Sequence, residues 1–202
     1  ITGATGTGKT VTLQNLAQGF SDAGVPVFCA DVKGDLSGIC IPGSTDHKLH
    51  DKFVARANKI GLGEYEYTSA PTVFWDVFGE KGHPIRTTIS EMGPLLLSRL
   101  MDLTDAQEGV LNIAFEYADD NGLLLLDLKD LRKLLVHMSD KEVRDELSKE
   151  YGNIASASLG AVQRNLLVME REGADFFFGE PALELSDMMR TNTDGRGIVN
   201  VL

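Results

Sequence analysis

The stretch Gly3-Ala-Thr-Gly-Thr-Gly-Lys-Thr10 decides the fold of this chain. It matches the pattern G-x-x-x-x-G-K-[ST] of a phosphate-binding P-loop, or Walker A motif, at every fixed position. Its glycines allow a tight turn whose backbone N–H groups point into one hollow. A helix begins there, and the positive end of its dipole attracts anions. The motif therefore predicts a nucleoside-triphosphate site.

The polar side chains of the motif have expected tasks. Lys9 reaches the β- and γ-phosphates of ATP as a positive charge and is a catalytic candidate. Thr10 offers its hydroxyl to Mg²⁺, the cofactor that accompanies ATP. The predicted nucleotide-binding residues run from the loop into the helix and are Gly3, Ala4, Thr5, Gly6, Thr7, Gly8, Lys9, Thr10 and Val11.

Apolar periodicity after the loop predicts an α/β fold. A helix over 9–23 ends at Gly24, and the apolar run 25–30 is typical of a buried parallel strand. A helix over 50–62 and a strand over 72–78 follow. This alternation indicates a parallel sheet flanked by helices, and with the loop it predicts the P-loop NTPase fold.

A run of helical patterns interrupts the sheet. Helical patterns with capping signals fill 89–173: a Leu-rich helix begins at Met92, and Thr104 with Gln107 and Ser139 with Glu142 have capping-box spacing. An apolar, strand-like run returns at 197–202. We therefore predict a P-loop core over 1–88, an all-helical insertion over 89–173 and a return to the core over 174–202. Because only two residues precede the loop and the last strand stops inside its apolar run, we expect a chain truncated at both ends, with most of its first strand missing.

Hydrolysis of ATP needs an acid in addition to the loop, and two apolar runs end in Asp. Asp31 ends the run after the loop helix, so it either faces the nucleotide as a catalytic residue or caps the following turn. Lys33 and Asp35 share these alternatives. Asp127 follows Leu123-Leu-Leu-Leu126, but a helix-period pattern begins there, which favours a helix N-cap.

Composition narrows the class of protein. The 202 residues carry a net charge of −11, which does not favour a surface that coats nucleic acid. Two cysteines are too few for a disulfide scaffold, and His47, His50 and Cys40 lack the spacing of a metal site. With no signal peptide and no membrane-spanning run, we expect a cytoplasmic protein.

The loop segment 3–14 and Asp31-Val-Lys-Gly-Asp-Leu-Ser-Gly38 together resemble the HerA–FtsK superfamily of P-loop ATPases. Three later stretches resemble its bacterial helicase HerA-like, YjgR-type branch: Arg86-Thr-Thr-Ile-Ser-Glu-Met-Gly-Pro94, Gln107-Glu-Gly-Val-Leu-Asn-Ile-Ala-Phe115 and Gly179-Glu-Pro-Ala-Leu183. The resemblance covers essentially the whole chain and places it in the amino-terminal part of the ATPase core.

The resemblance implies an ATPase that assembles as a homo-oligomer, commonly a hexameric ring, and translocates DNA in the better-known members. It also implies a Walker B strand ending in Asp-Glu after residue 202. We therefore expect the parent protein to be an ATP hydrolase and this chain to bind ATP but to be incomplete for hydrolysis. An arginine from a neighbouring subunit completes such a site, and the sequence singles out none of its candidates, Arg86, Arg99, Arg164 and Arg196.

Two other functions stay open at this point. A small-molecule kinase or other phosphotransferase would use the helical insertion as a substrate lid. A non-catalytic, nucleotide-gated interaction module would use the same insertion to bind a partner.

Overall fold

In the computed structural model, which describes residues 8–202, the chain divides into two units. The α/β unit takes the chain up to His83 and adds Glu184–Leu202, and the helical unit is Pro84–Leu183. The expected first strand and the residues Gly3 to Thr7 of the loop lie outside the described residues.

The α/β unit is built on a sheet whose strands run in the order β1-β4-β2-β3. These strands are β1 Val27–Cys29, β2 Thr72–Asp76, β3 His83–Pro84 and β4 Val199–Val201. β4 pairs in parallel with β1 on one side and with β2 on the other, so that Val199 lies opposite both Val27 and Thr72. The predicted α/β class with a parallel sheet is confirmed for these pairings.

The helices of the α/β unit are α1 Lys9–Asp22, a 3₁₀ helix Ser37–Cys40, α2 His50–Lys59 and α9 Leu185–Met188. α1 and α2 lie within the predicted ranges 9–23 and 50–62, whereas the other two helices were not predicted. α1 ends where Gly24 adopts a φ of 79°, as the sequence predicted. A Cβ there would also lie 3.2 Å from the carbonyl oxygen of Gly195, so both conformation and space favour glycine.

Among the described residues, the core of the α/β unit is small. Its buried cluster consists of Ala17, Leu36, Ile39, Ala70, Val199 and Val201. The central strand β4 adds a polar junction, because Asn200 is fully buried. The Asn200 carboxamide accepts a hydrogen bond from the Trp75 indole and donates to the carbonyl of Met188.

The helical unit contains six helices around one continuous core of leucines and other apolar side chains. The helices are α3 Ile89–Leu100, α4 Asp105–Asp120, α5 Leu128–Ser139, α6 Lys141–Glu150, α7 Ser156–Arg171 and α8 Ala174–Phe177. Leu97, Leu111, Leu131, Leu135 and Leu166 are all fully buried in this core. The unit therefore contains many more fully buried large side chains than the α/β unit.

Caps at the helix starts test the capping predictions. Gln107 accepts a hydrogen bond from the Thr104 backbone N–H at 3.1 Å, which confirms the predicted start of α4. The N-cap of α6 is Asp140, which accepts from the Glu142 N–H at 2.9 Å. The prediction of Ser139 at that position was wrong, because α5 extends through Ser139 and leaves a single residue between the two helices.

Candidate functional site

The predicted loop enters α1 at Gly8, the first described residue. Gly8 has a φ of 84°, a left-handed conformation that a side chain would strain, although a Cβ there would meet no atom within 4 Å. The Gly8 carbonyl accepts the first helical hydrogen bond, from Thr12 N–H at 3.0 Å. No acidic residue lies in the first turn of α1 itself.

Lys9 and Thr10 form the first turn of α1. The Thr10 hydroxyl donates a hydrogen bond to the Asp35 carboxylate at 3.0 Å, across 25 residues of sequence. The side chain of Gln14, one turn further along α1, donates to the Asp35 carbonyl at 3.0 Å. Asp35 is thus held against the start of the helix by both its side chain and its backbone.

Asp31 organises the loop that carries Asp35. Its carboxylate accepts hydrogen bonds from the backbone N–H groups of Lys33, Gly34 and Leu36 at 3.2, 3.0 and 2.8 Å. Its own backbone N–H donates to the carbonyl of Leu202 beyond the end of β4. Of the two interpretations of Asp31, these bonds agree with the cap of the turn after β1.

Cys29, two residues before Asp31, is held in its thiol form. Partial burial raises the pKa of the Cys29 thiol, and the negative charge of Asp31 raises that pKa further. A thiolate nucleophile is therefore disfavoured beside the candidate site.

The structure does not place all of the other predicted residues at the start of α1. Gly3, Ala4, Thr5, Gly6 and Thr7 lie outside the described residues, and Val11 is 57% exposed on α1. Asp127 lies in the helical unit as the N-cap of α5 and accepts from the N–H groups of Lys129 and Asp130, so the N-cap interpretation is confirmed.

The four candidate arginines divide into two pairs. Arg86 donates to the carbonyls of Phe178 and Glu180, and Arg196 donates to the carbonyl of Ser69 and to the Asp194 carboxylate. Arg99 and Arg164 lie exposed on helices of the helical unit.

Histidine and aromatic side chains form a cluster that the sequence did not reveal. The His50 ring lies 3.1 Å from the Tyr67 hydroxyl, and Tyr65 packs edge-on against Tyr67 with ring centroids 5.1 Å apart. Phe53 lies between His47 and Tyr65, at 5.9 and 6.3 Å. Within residues 8–202, no three His, Cys, Asp or Glu side chains form a group suited to a metal ion.

Asp35 is the candidate residue whose position beside Thr10 the sequence did not single out. The signal was present in Asp31-Val-Lys-Gly-Asp35, where a turn with two carboxylates follows a parallel strand. Such turns form the ligand edge of α/β sheets. The sequence did not show which carboxylate would lie at Thr10.

A comparison with protein-family models identifies a family for the chain. The family model described as helicase HerA-like C-terminal matches residues 1–202, the whole chain. No curated protein and no solved structure matched. In the described part of the chain, no helix is long and apolar enough to cross a membrane.

Proposed function

The chain belongs to the helicase HerA-like C-terminal family, and from this premise we propose that it is the ATP-binding part of a HerA-like P-loop ATPase. The phosphates of Mg·ATP would bind at the Walker A loop, Gly3 to Thr10, and at the start of α1. The observation that carries this proposal is the contact between the Thr10 hydroxyl and the Asp35 carboxylate at the N-terminus of α1. In P-loop NTPases Mg²⁺ is held by such a hydroxyl together with the Asp of the Walker B strand, and we propose that Asp35 adds a second carboxylate at this position.

The two oxygens fit a magnesium ion. Mg²⁺ binds oxygen ligands at 2.0–2.1 Å in near-octahedral geometry, so two ligands in adjacent positions lie about 2.9 Å apart. The Thr10 hydroxyl oxygen and the Asp35 carboxylate oxygen are 3.0 Å apart. A hydroxyl has one proton to donate to Asp35 and lone pairs that could bind the metal. When bound, the ion would neutralise charge on the β- and γ-phosphates.

The protein groups around the phosphates have complementary tasks. After the left-handed Gly8, the N–H groups at the start of α1 present donors to an anion. Lys9 supplies a positive charge for the β- and γ-phosphates. Asp31, a catalytic candidate in the sequence, would act here by holding the loop in which Asp35 lies.

Several finer features of the proposal rest on the family resemblance. We place the chain in the amino-terminal part of the ATPase core of a bacterial YjgR-type protein. The parent protein would assemble as a homo-oligomeric, hexameric ring in the cytoplasm and would translocate DNA. It would hydrolyse ATP with a Walker B acid from beyond residue 202 and an arginine from a neighbouring subunit.

Isothermal titration with Mg·ATP tests the proposal directly. Lys9→Ala removes the proposed phosphate contact, and we expect it to weaken Mg·ATP binding by about tenfold or more, since hydrogen bonds to charged groups contribute about 1.5–3 kcal/mol. Lys149→Ala, at an exposed position of α6, is the charge-matched control and should bind as the unmodified chain does. Equal affinities for the unmodified chain and Lys9→Ala would contradict the assignment of the Walker A loop as the phosphate site.

A further inference from the structure

A groove of about 720 Å³ lies in the α/β unit between α1 and α2. Val11, Asn15 and Gln18 line it from α1, and Phe53, Ile60 and Tyr65 line it from α2 and the segment that follows. Residues three and four apart share one face of a helix, so the residues from α1 form a continuous wall. Of the residues on this wall, only Val11 belongs to the predicted phosphate site.

The groove begins where the phosphate site ends. Val11 directly follows Thr10, and α1 rises 1.5 Å per residue, so the wall from Val11 to Gln18 is about 10 Å long. A nucleotide whose phosphates lie at the start of α1 has only its sugar and base left to place. The groove is an open space that adjoins the last phosphate-loop residue.

The lining suits an uncharged, flat ligand. The charged residues lining the groove are Asp22 and Arg56, whose charges cancel. Val11 is 57% exposed and Ile60 is 54% exposed, so apolar surface is available to a ligand. An additional phosphate would find no net positive charge here, whereas an apolar lining with a few amides is typical of small-molecule pockets.

Aromatic and amide groups lie on the two walls. Phe53 is 38% exposed; the His47 ring is stacked on it with centroids 5.9 Å apart, and the Tyr65 ring lies 6.3 Å away at an interplanar angle of 45°. The exposed part of the Phe53 ring is available to stack on a nucleobase. On the opposite wall, the Asn15 carboxamide offers both a donor and an acceptor, which the edge of a purine base requires.

The other amides of α1 are already oriented. Gln14 donates to the Asp35 carbonyl, and the Gln18 amide donates to the Thr68 hydroxyl. The first bond joins the wall of the groove to the loop of the proposed magnesium site. One helix therefore carries both sites, which fits a single ligand that extends from one to the other.

We propose that this groove binds the nucleoside half of the nucleotide, with a purine base against Phe53 and Tyr65 and its edge towards Asn15. The proposal rests on the proposed function, because the phosphates must lie at the start of α1 for the base to reach the groove. The proposal adds a base-binding site to the phosphate site. Because inorganic tripolyphosphate has no base, it should bind at the phosphate loop alone.

The test compares ATP with inorganic tripolyphosphate, each with Mg²⁺, by isothermal titration. Phe53→Ala should weaken ATP binding about tenfold, the usual contribution of one base–aromatic stack, and leave tripolyphosphate binding unchanged. Lys9→Ala should weaken the binding of both ligands. Phe20→Ala is the matched control, because Phe20 is 53% exposed on α1 but does not line the groove.

The outcomes separate the two proposals. If Lys9→Ala changes neither ligand, the phosphate site itself is wrong. If Lys9→Ala weakens both but Phe53→Ala weakens neither, or weakens both equally, the groove does not hold the base and another occupant, such as a protein segment, covers it. Phe53→Leu keeps an apolar side chain of similar size, and it should also weaken only ATP binding in a chain whose thermal unfolding is unchanged.

Discussion

Different kinds of interaction stabilise the helical unit and the α/β unit. Among the described residues, twenty buried side chains form the core of the helical unit, whereas six form the core of the α/β unit. On α1 the apolar side chains Val11, Leu13, Leu16 and Phe20 are 44–57% exposed. The α/β unit instead relies on hydrogen-bonded loops, such as the one that Asp31 caps. The candidate nucleotide site lies in the α/β unit, whose geometry depends on these polar contacts.

Truncation of a core leucine should give the largest change in stability. Leu135 in α5 is fully buried, so Leu135→Ala should lower the free energy of unfolding of the helical unit by about 3 kcal/mol through lost burial and a cavity. Leu124→Ala is the control, because Leu124 is 73% exposed and its loss should change stability by less than about 0.5 kcal/mol.

Two probes read the units separately in that experiment. Circular dichroism at 222 nm is dominated by the helices, and Trp75, the single tryptophan of the sequence, reports on the α/β unit. Leu135→Ala should shift the dichroism transition in urea and leave the fluorescence transition in place. A common shift of both transitions would show that the two units unfold as one, and the contrast between them would fail.

Asn200 provides the corresponding stability test in the α/β unit. Asn200→Ala would leave the Trp75 indole N–H and the Met188 carbonyl without their partner, and we expect a loss of about 2 kcal/mol in stability. Trp75 fluorescence should report the loss directly in a urea titration. Asn58→Ala, at an exposed position of α2, should be nearly neutral. A neutral Asn200→Ala would mean that packing alone holds this sheet.

The cap at Asp127 should have a smaller effect. Asp127 accepts from the N–H groups of Lys129 and Asp130, so Asp127→Ala should cost about 1 kcal/mol in the stability of the helical unit. Asp127→Asn should recover most of that loss, because asparagine is an equally good N-cap. The dichroism midpoint in urea measures both variants, and equal losses in the two would argue against a capping role.

The smallest effect concerns pH. The hydrogen bond that Tyr151 donates to the Asp120 carboxylate is the main cause that raises the pKa of Tyr151 to about 12. Because the folded pKa is higher than the unfolded value of about 10, the stabilisation is complete below pH 10 and is lost as the pH rises towards 12. Tyr151→Phe should slightly lower the dichroism midpoint at pH 8, and this difference from the unmodified chain should vanish by pH 12. A difference independent of pH would contradict the assigned bond.

Secondary structure was predictable where periodicity or capping chemistry is local. The pattern of α1 and its stop at Gly24 agree with the structure, as does the cap at Asp127. The start of α3 was placed too late, at Met92, because Thr88 and Glu91 were not recognised as a capping box. That signal was available, since the T-x-x-E pattern can be read directly from the sequence.

Contacts over long sequence separations were not predictable. The Thr10–Asp35 contact depends on how Asp31 folds the intervening turn, and the groove depends on where α2 lies beside α1. A single sequence contains no direct record of either distance. The residue types were visible at both places, but their partners were not.

The contact between Thr10 and Asp35 is the centre of the account, and its most direct test is the magnesium dependence of ATP binding. Affinities are measured with Mg²⁺ and with EDTA for the unmodified chain, Asp35→Asn and the charge-matched control Asp46→Asn. We predict that Mg²⁺ strengthens ATP binding by the unmodified chain and by the control. In Asp35→Asn this strengthening should be about tenfold smaller, whereas the affinity measured in EDTA should be unchanged. An Asp35→Asn chain that retains the full gain from Mg²⁺ would contradict the account.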